Sequence, residues 1–309
     1  MEAGTRSSPL SSSVAIPPTA EKLRRVMNLA QLVQSHALSF FHLSSPDLLF
    51  GFDSDLARRN IVGVAAEHPD IAKQGVLLRR FGQEVIRVTA GKRVHGTGAI
   101  PGGVNKPVTA QERDGLLKDV YQVVAWCRAA VQLAKRLHLS NIGLYNSFGA
   151  FRSNLMSLVA PDGAMDLYHG ALRARDSAGA IVFDKVDYSR YWDYLTEEVK
   201  PWSYMKFPFL TKLGPEEGWY RVGPLARVNT CDFIDTPQAE AARTEFMTLT
   251  DGKPNNLTMA YHWARMIELL HSCEKIVELL NDSDLQGDDL VADPGERRGE
   301  YVAMIEAPR

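Results

Sequence analysis

Paired cysteines are absent from this sequence of 309 residues. Its three cysteines, Cys127, Cys231 and Cys273, are widely spaced and form no C-x-x-C motif. Such spacing indicates neither a zinc site nor a disulfide framework. We therefore expect three isolated thiols, most of them buried in the core.

The sequence also lacks an excess of charge of either sign and a long apolar run. It has 35 Lys and Arg against 37 Asp and Glu, which gives no reason to expect nucleic acid or an anionic membrane as a partner. No window approaches the ~18 apolar residues of a spanning helix, and residues 1–13 do not have the pattern of a secretory signal. These features predict a cytoplasmic protein with no membrane span and no nucleic-acid partner.

Helical periodicity organises most of the chain. Residues 1–14 are small and polar, and we expect them to be disordered. From Thr19, interpreted as an N-cap, apolar residues recur at helical spacing for about seven turns. Similar signals predict five further helices. One ends near residue 68, and the other four cover about 70–90, 109–138, 237–250 and 256–281.

Strand signals are fewer. Alternation over residues 166–184, with a turn at 176–179, predicts a hairpin, and residues 300–305 predict a final short strand. Residues 187–213 are ambiguous between short helices and loop. The predicted fold is mainly α (α+β), a long antiparallel helix bundle with a small peripheral β-hairpin in one core domain over residues 15–309.

Glycines are concentrated in residues 91–107, which therefore cannot form a regular element. A dinucleotide-binding fingerprint needs a strand before the glycines and a helix directly after them. Here a predicted helix comes first and prolines interrupt, so the pattern favours a tight backbone passage between two helices over a phosphate site. His95, in this stretch, could be a ligand or a base, although a histidine held by a backbone carbonyl is the more common case.

Two histidines of the first helix are also candidates. His36 and His42 are six residues apart, about 120° around a helix, so they cannot jointly bind one metal ion. We expect one of them to pack against neighbouring helices and the other to face solvent. Asp47, after a proline at a helix end, is by itself an ordinary surface or capping carboxylate, and Arg309 by itself is a solvated side chain.

Short segments in collinear order over residues 15–309 carry a more specific signal. They are TAEKLRR (19–25), LVQSHALSFF (32–41), PDLLFG (46–51), RFGQEVI (80–86), the glycine-rich passage (91–104), WSYMKFP (202–208), VGPLAR (222–227), NNLTM (255–259) and EAPR (306–309). Taken together, they resemble the large subunit of nickel–iron hydrogenases. The WSYMKFP segment indicates the soluble, bidirectional, NAD-linked type.

This resemblance implies reversible H2 oxidation coupled to NAD(P) or another soluble acceptor. It also implies a nickel–iron centre with carbonyl and cyanide ligands, held by four thiolates from two C-x-x-C pairs, and a magnesium site. Both pairs are missing here, so we assign no metal ligand and expect the isolated chain to be unable to hold the centre. The implied partners are the diaphorase subunits of a soluble complex and a small iron–sulfur subunit.

Three residues match outer positions of the family's site. Arg309 matches an arginine suspended over the metals, where a permanent charge orients H2 and acts on charge that develops during heterolysis. Asp47 matches the carboxylate that steadies this arginine, and Pro308 matches a residue that shapes the cyanide pocket. His36 and His95 fall in family motifs without an assigned role.

Three interpretations remain open. The chain is a hydrogenase large-subunit fragment, incomplete at both ends, or a metal-free relative that serves as an interaction or assembly module for a small iron–sulfur subunit. A third and weaker option is an unrelated enzyme that uses Asp47, His95 and Arg309 for acid–base chemistry.

Overall fold

The structure, a computed structural model, describes residues 15–293, 302–304 and 306–308 of the chain. They fall into two compact units, one of residues 15–141, 265–293 and 308, and the other of residues 142–264, 302–304, 306 and 307. Arg309 and the expected disordered segment 1–14 lie outside the described residues. Of the expected strand at 300–305, residues 302–304 are described and are not in a strand. A single core domain over residues 15–309 stays a prediction.

Long helices account for most of the regular structure. In chain order the α-helices are α1 (Pro18–Ala37), α2 (Ser45–Phe50), α3 (Ile61–Glu67), α4 (Pro69–Ala90), α5 (Ala110–Ser140), α6 (Ile142–Tyr145), α7 (Gly214–Glu217), α8 (Pro224–Thr230), α9 (Pro237–Met247) and α10 (Tyr261–Leu280). A π-helical segment, Leu38–Ser44, joins α1 to α2. Short 3-10 turns are Tyr188–Asp193, Thr211–Leu213, Thr248–Thr250, Thr258–Ala260 and Ser283–Gln286. The mainly helical prediction is confirmed.

Helix ends in the first unit follow local chemistry, with one exception. The capping box at Thr109 begins α5 as predicted, and Gly91, with a φ of 78°, ends α4 in the left-handed conformation. Thr19 is not an N-cap, because α1 begins at Pro18, where a missing N–H costs little. The Thr19 hydroxyl instead donates to the Asp284 carbonyl at 2.7 Å.

The glycine-rich passage holds two short antiparallel strands, β1 (Ala99–Ile100) and β2 (Gly103–Val104). The buried Arg24 of α1 donates from Nε to the Gly103 carbonyl at 2.9 Å. A Cβ at Gly103 would lie 1.8 Å from the Leu290 carbonyl oxygen, so only glycine fits. The predicted tight passage between two helices is therefore correct, but the expectation that residues 91–107 form no regular element is wrong, since β1 and β2 pair there.

The second unit contains more sheet than predicted. The strands are β3 (Asn154–Val159), β4 (Ala171–Arg175), β5 (Ile181–Val186), β6 (Leu195–Val199), β7 (Lys206–Leu210) and β8 (Tyr220–Arg221). One sheet has the order β5-β4-β3-β8, with β3 and β8 parallel, and β6 pairs with β7 in a separate antiparallel hairpin. The β4–β5 hairpin is the one predicted over 166–184.

Candidate active site

His36 lies in the last turn of α1 with no exposed surface. Its Nε2 is 3.0 Å from Oε1 of Glu268, a carboxylate of α10 that is equally buried. This confirms that one of the two helical histidines packs against a neighbouring helix. The partner of His36 is a carboxylate. His42 does not face solvent as predicted, since it is partly buried, and burial lowers the pKa of its imidazole.

Arg265 of α10 connects His36 to one of the residues expected to shape the site. Its Nη1 is 3.4 Å from Nδ1 of His36, and the same nitrogen donates to the Pro308 carbonyl at 2.9 Å. We call His36, Glu268, Arg265 and Pro308 the His36 cluster. It ties the residue next to Arg309 to the buried interior of the first unit.

The two residues before Pro308 are anchored within the second unit. Arg227 of α8 is completely buried, and its Nη1 lies 2.7 Å from Oε2 of Glu306. The same guanidinium donates to the Ala307 carbonyl at 3.0 Å, while Oε1 of Glu306 accepts from the Leu158 N–H at 2.8 Å. The fully buried guanidinium and the mostly buried carboxylate therefore fix the start of the EAPR motif.

Neither Arg227 nor Arg265 was singled out from the sequence. Arg227 is the last residue of the VGPLAR segment that resembles the hydrogenase family, so the sequence contains a signal for it. Arg265 and Glu268 are charged residues three positions apart in a largely buried helix. Charges in such positions need partners, and this is the signal that could have found them.

Asp47 and His95 both have exposed surface in the first unit, which agrees with the surface interpretation of Asp47. The Asp47 side chain is 46% exposed in the first turn of α2, and its Oδ1 lies 3.4 Å from Nε of Arg59. His95 is exposed, with a φ of 50°. Arg309 lies outside the described residues, so its pairing with Asp47 stays a prediction.

The cysteines differ from expectation in one respect. All three are free and buried, but Cys127 and Cys273 are not isolated, since their Sγ atoms are 3.3 Å apart in the first unit. Burial raises the pKa of the Cys127 thiol well above its usual range and that of Cys231 to about 11. The Cys127 and Cys231 thiols are therefore protonated near neutral pH.

The described residues hold no group of three or more His, Cys, Asp or Glu side chains suited to a metal. A nickel–iron centre needs soft thiolate ligands. The described residues hold three cysteines, of which Cys127 and Cys273 are in contact, and these are fewer than the four thiolates that the resemblance implies. The donors of this part of the chain therefore do not fit such a centre.

A separate cavity of about 670 Å³ lies between α4 and α5, and none of the expected site residues lines it. Glu84 on its wall contacts Arg87 at 2.6 Å and Arg93 at 2.9 Å. The hydrogen bond from Arg87 is the main cause that lowers the pKa of Glu84 to about 2.

Among the helices that the structure describes, none is long and apolar enough to cross a membrane.

Comparison with known proteins gives a consistent set of relatives, although no family model matches. The chain is 42% identical to the NAD-reducing hydrogenase HoxS subunit beta of Cupriavidus necator, covering 97% of this chain and 63% of that protein. It is 41% identical to a subunit of the F420-non-reducing hydrogenase vhu of Methanocaldococcus jannaschii, covering 96% of this chain and 70% of that protein. The chain thus spans about two thirds of the length of these relatives.

Solved structures agree with these relatives. An NAD+-reducing [NiFe]-hydrogenase in the H2-reduced state superposes with a TM-score of 0.93 at 48% identity, covering 99% of this chain and 67% of that one. The [NiFeSe]-hydrogenase of Dm. baculatum has a TM-score of 0.66 at 17% identity, which shows a shared fold alone.

Proposed function

Because this chain belongs to the family of nickel–iron hydrogenase large subunits, we propose that it supplies one wall of the H2-oxidising site in such an enzyme. The observation that carries the proposal is the anchoring of residues 306–308. Arg227 contacts Glu306 and Ala307, and Arg265 contacts Pro308. Within the second unit the fully buried Arg227 thus holds residues 306 and 307, and within the first unit Arg265 holds Pro308, which directly precedes Arg309 in the sequence; these contacts support the proposal.

The proposed reaction is the reversible oxidation of H2, in which the H–H bond breaks heterolytically, the proton is released, and the two electrons of the hydride pass to NAD(P) or another soluble acceptor. Arg309, which is permanently charged, would orient H2 and stabilise the negative charge that develops. Asp47 would steady this guanidinium, and Pro308 would shape the adjoining wall. The donors of the described residues do not fit the metals, so the proposed roles of this chain are limited to these three side chains.

The electron acceptor, the cellular location and the partner subunits are part of the same proposal. The name of the C. necator relative says that it reduces NAD, which supports a nicotinamide nucleotide as the electron acceptor and a cytoplasmic location. Several relatives are named as subunits, which supports a multisubunit assembly. The partners we propose are diaphorase subunits and a small iron–sulfur subunit.

The test is an Arg309→Lys variant of the protein produced with its partner subunits and accessory proteins. Lysine keeps the charge but loses the planar donors, and we expect H2-dependent viologen reduction to fall about 10²–10³-fold. Arg190→Lys, at a side chain that is 69% exposed, is the matched control and should retain full activity.

Two results would contradict the proposal. One is full activity of the Arg309→Lys complex. The other is a wild-type complex that contains nickel and iron and does not oxidise H2. If a stable complex forms with no nickel or iron bound, the chain is an assembly module instead.

A further inference from the structure

The His36 cluster joins two buried groups to the backbone beside Arg309. His36 and Glu268 have no exposed surface, and Arg265 is partly buried. The contacts run in sequence from Oε1 of Glu268 to Nε2 of His36, from Nδ1 of His36 to Nη1 of Arg265, and from that nitrogen to the Pro308 carbonyl. All four residues belong to the first unit.

The geometry selects one protonation pattern for the His36 ring. A carboxylate accepts and does not donate, so Nε2 of His36 must carry a hydrogen to bond Glu268. The guanidinium of Arg265 only donates, so Nδ1 must present a lone pair. A neutral ring with its hydrogen on Nε2 meets both demands. A doubly protonated ring would place an N–H and a positive charge against the guanidinium.

The spacing on α10 makes this arrangement rigid. Arg265 and Glu268 are three residues apart, so they lie on one face of the helix, one turn apart. Because the carboxylate is fully buried, it needs a hydrogen-bond donor, and His36 provides one. The ring of His36 therefore has both nitrogens engaged between two side chains of a single helix.

We propose that the Glu268–His36 pair is a positioning device for the proposed H2 site. Glu268 fixes the tautomer of His36, His36 fixes the guanidinium of Arg265, and Arg265 fixes the Pro308 carbonyl and with it the backbone that leads into Arg309. None of the three side chains needs to touch substrate. The catalytic meaning of the device rests on the proposed function, whereas the mechanical linkage does not.

The first test measures backbone hydrogen exchange in the peptide that spans residues 302–309, by mass spectrometry of the full chain. Pro308 has no N–H, so the reporting amide is that of Arg309, whose peptide bond contains the Pro308 carbonyl. Glu268→Gln keeps the size of the side chain but removes the charge that fixes the His36 ring. We expect the exchange of the Arg309 amide to accelerate about tenfold, as for the loss of one charge-assisted hydrogen bond. Arg265→Met should accelerate it at least as much, and Arg265→Lys, which keeps a charged donor, should remain closer to wild type.

Glu278→Gln is the matched control. Glu278 lies on the same helix with 64% of its side chain exposed and pairs with Lys275. Its removal should leave the exchange of residues 302–309 unchanged. If Glu268→Gln, while folded, also leaves that exchange unchanged, the linkage is refuted.

The second test is the tautomer of His36, read by ¹⁵N NMR of a histidine-labelled sample and assigned with His36→Gln. The chain contains 8 histidines, so the resonance can be identified by its loss. We expect the Nε2–H form in wild type and in Glu278→Gln, and a mixture of tautomers in Glu268→Gln. An Nδ1–H or doubly protonated ring in wild type would refute the proposal.

These tests separate the two proposals. If the exchange and tautomer results are as expected but the complex that contains nickel and iron does not oxidise H2, the proposed function is refuted and the positioning device is retained. If the complex is active and neither result holds, the device is wrong.

Discussion

Glu306→Ala is the substitution that most directly probes the anchoring of the EAPR motif. Arg227 is completely buried and the Glu306 side chain is 10% exposed, with 2.7 Å between Nη1 and Oε2. Removing one partner of a buried ion pair costs about 3–5 kcal/mol, because the remaining charge loses its counter-ion. The Leu158 N–H, also buried, loses its acceptor at the same time.

The change can be followed by urea unfolding with tryptophan fluorescence. Of the 5 tryptophans, only Trp126 lies outside the second unit, so the signal reports mainly on the unit that holds Arg227 and Glu306. With a slope of about 2 kcal/mol per molar urea, the midpoint should fall by about 1.5–2.5 M. Glu306→Gln keeps an acceptor for the Leu158 N–H, so its urea midpoint should fall less than that of Glu306→Ala.

The matched control is Glu197→Ala, which removes an exposed pair with Lys206 in the same unit. Exposed ion pairs contribute little to stability, so its midpoint should stay near that of wild type. Replacing both Arg227 and Glu306 by methionine should recover much of the loss, since no buried charge remains. Equal midpoints for Glu306→Ala and Glu197→Ala would refute this account of the anchor.

Two further predictions concern the first unit and the thiols. Since the pKa of Glu84 is lowered from 4.5 to about 2, its contribution to stability is present above pH 4.5 and is lost as pH falls toward 2. The difference in urea midpoint between wild type and Glu84→Gln should shrink over that window, and a constant difference would contradict it. Because Cys127, Cys231 and Cys273 are buried, we expect none to react with a disulfide reagent at pH 8 in the native protein and all three to react in denaturant. Rapid labelling of the native chain would show that the core opens.

Local signals in the sequence predicted much of the helical framework. The capping box before α5 and the left-handed Gly91 after α4 depend on neighbours within a few residues, so they can be recognised without the tertiary structure. Thr19 shows where this reasoning fails. Its hydroxyl is taken by Asp284, 265 positions away, and a distant partner of this kind cannot be inferred from local pattern.

Elements that are buried on all sides were missed. Every residue of β3 is buried, so it shows none of the alternation that marks a strand with one solvent face. The same holds for α8, whose seven residues are all buried and show no amphipathic face.

The candidate site was predicted only in part. Pro308 and the EAPR motif could be identified from the sequence, but the arginines that hold them lie far away in the chain. Arg265 is 43 residues from Pro308, and Arg227 is 79 from Glu306. Pairing of this kind depends on the fold, so the sequence could name the segment but not its supports.

The π-helical segment Leu38–Ser44 has a consequence for length variation in this family. Hydrogen bonds in such a segment reach back five residues rather than four, so each wide turn holds one residue more than an α-turn. A relative one residue shorter here could wind the same stretch as ordinary α-helix and still present His36 and Asp47 on the same faces. Insertions and deletions of a single residue should therefore be tolerated between His36 and Asp47 more readily than in the preceding turns of α1.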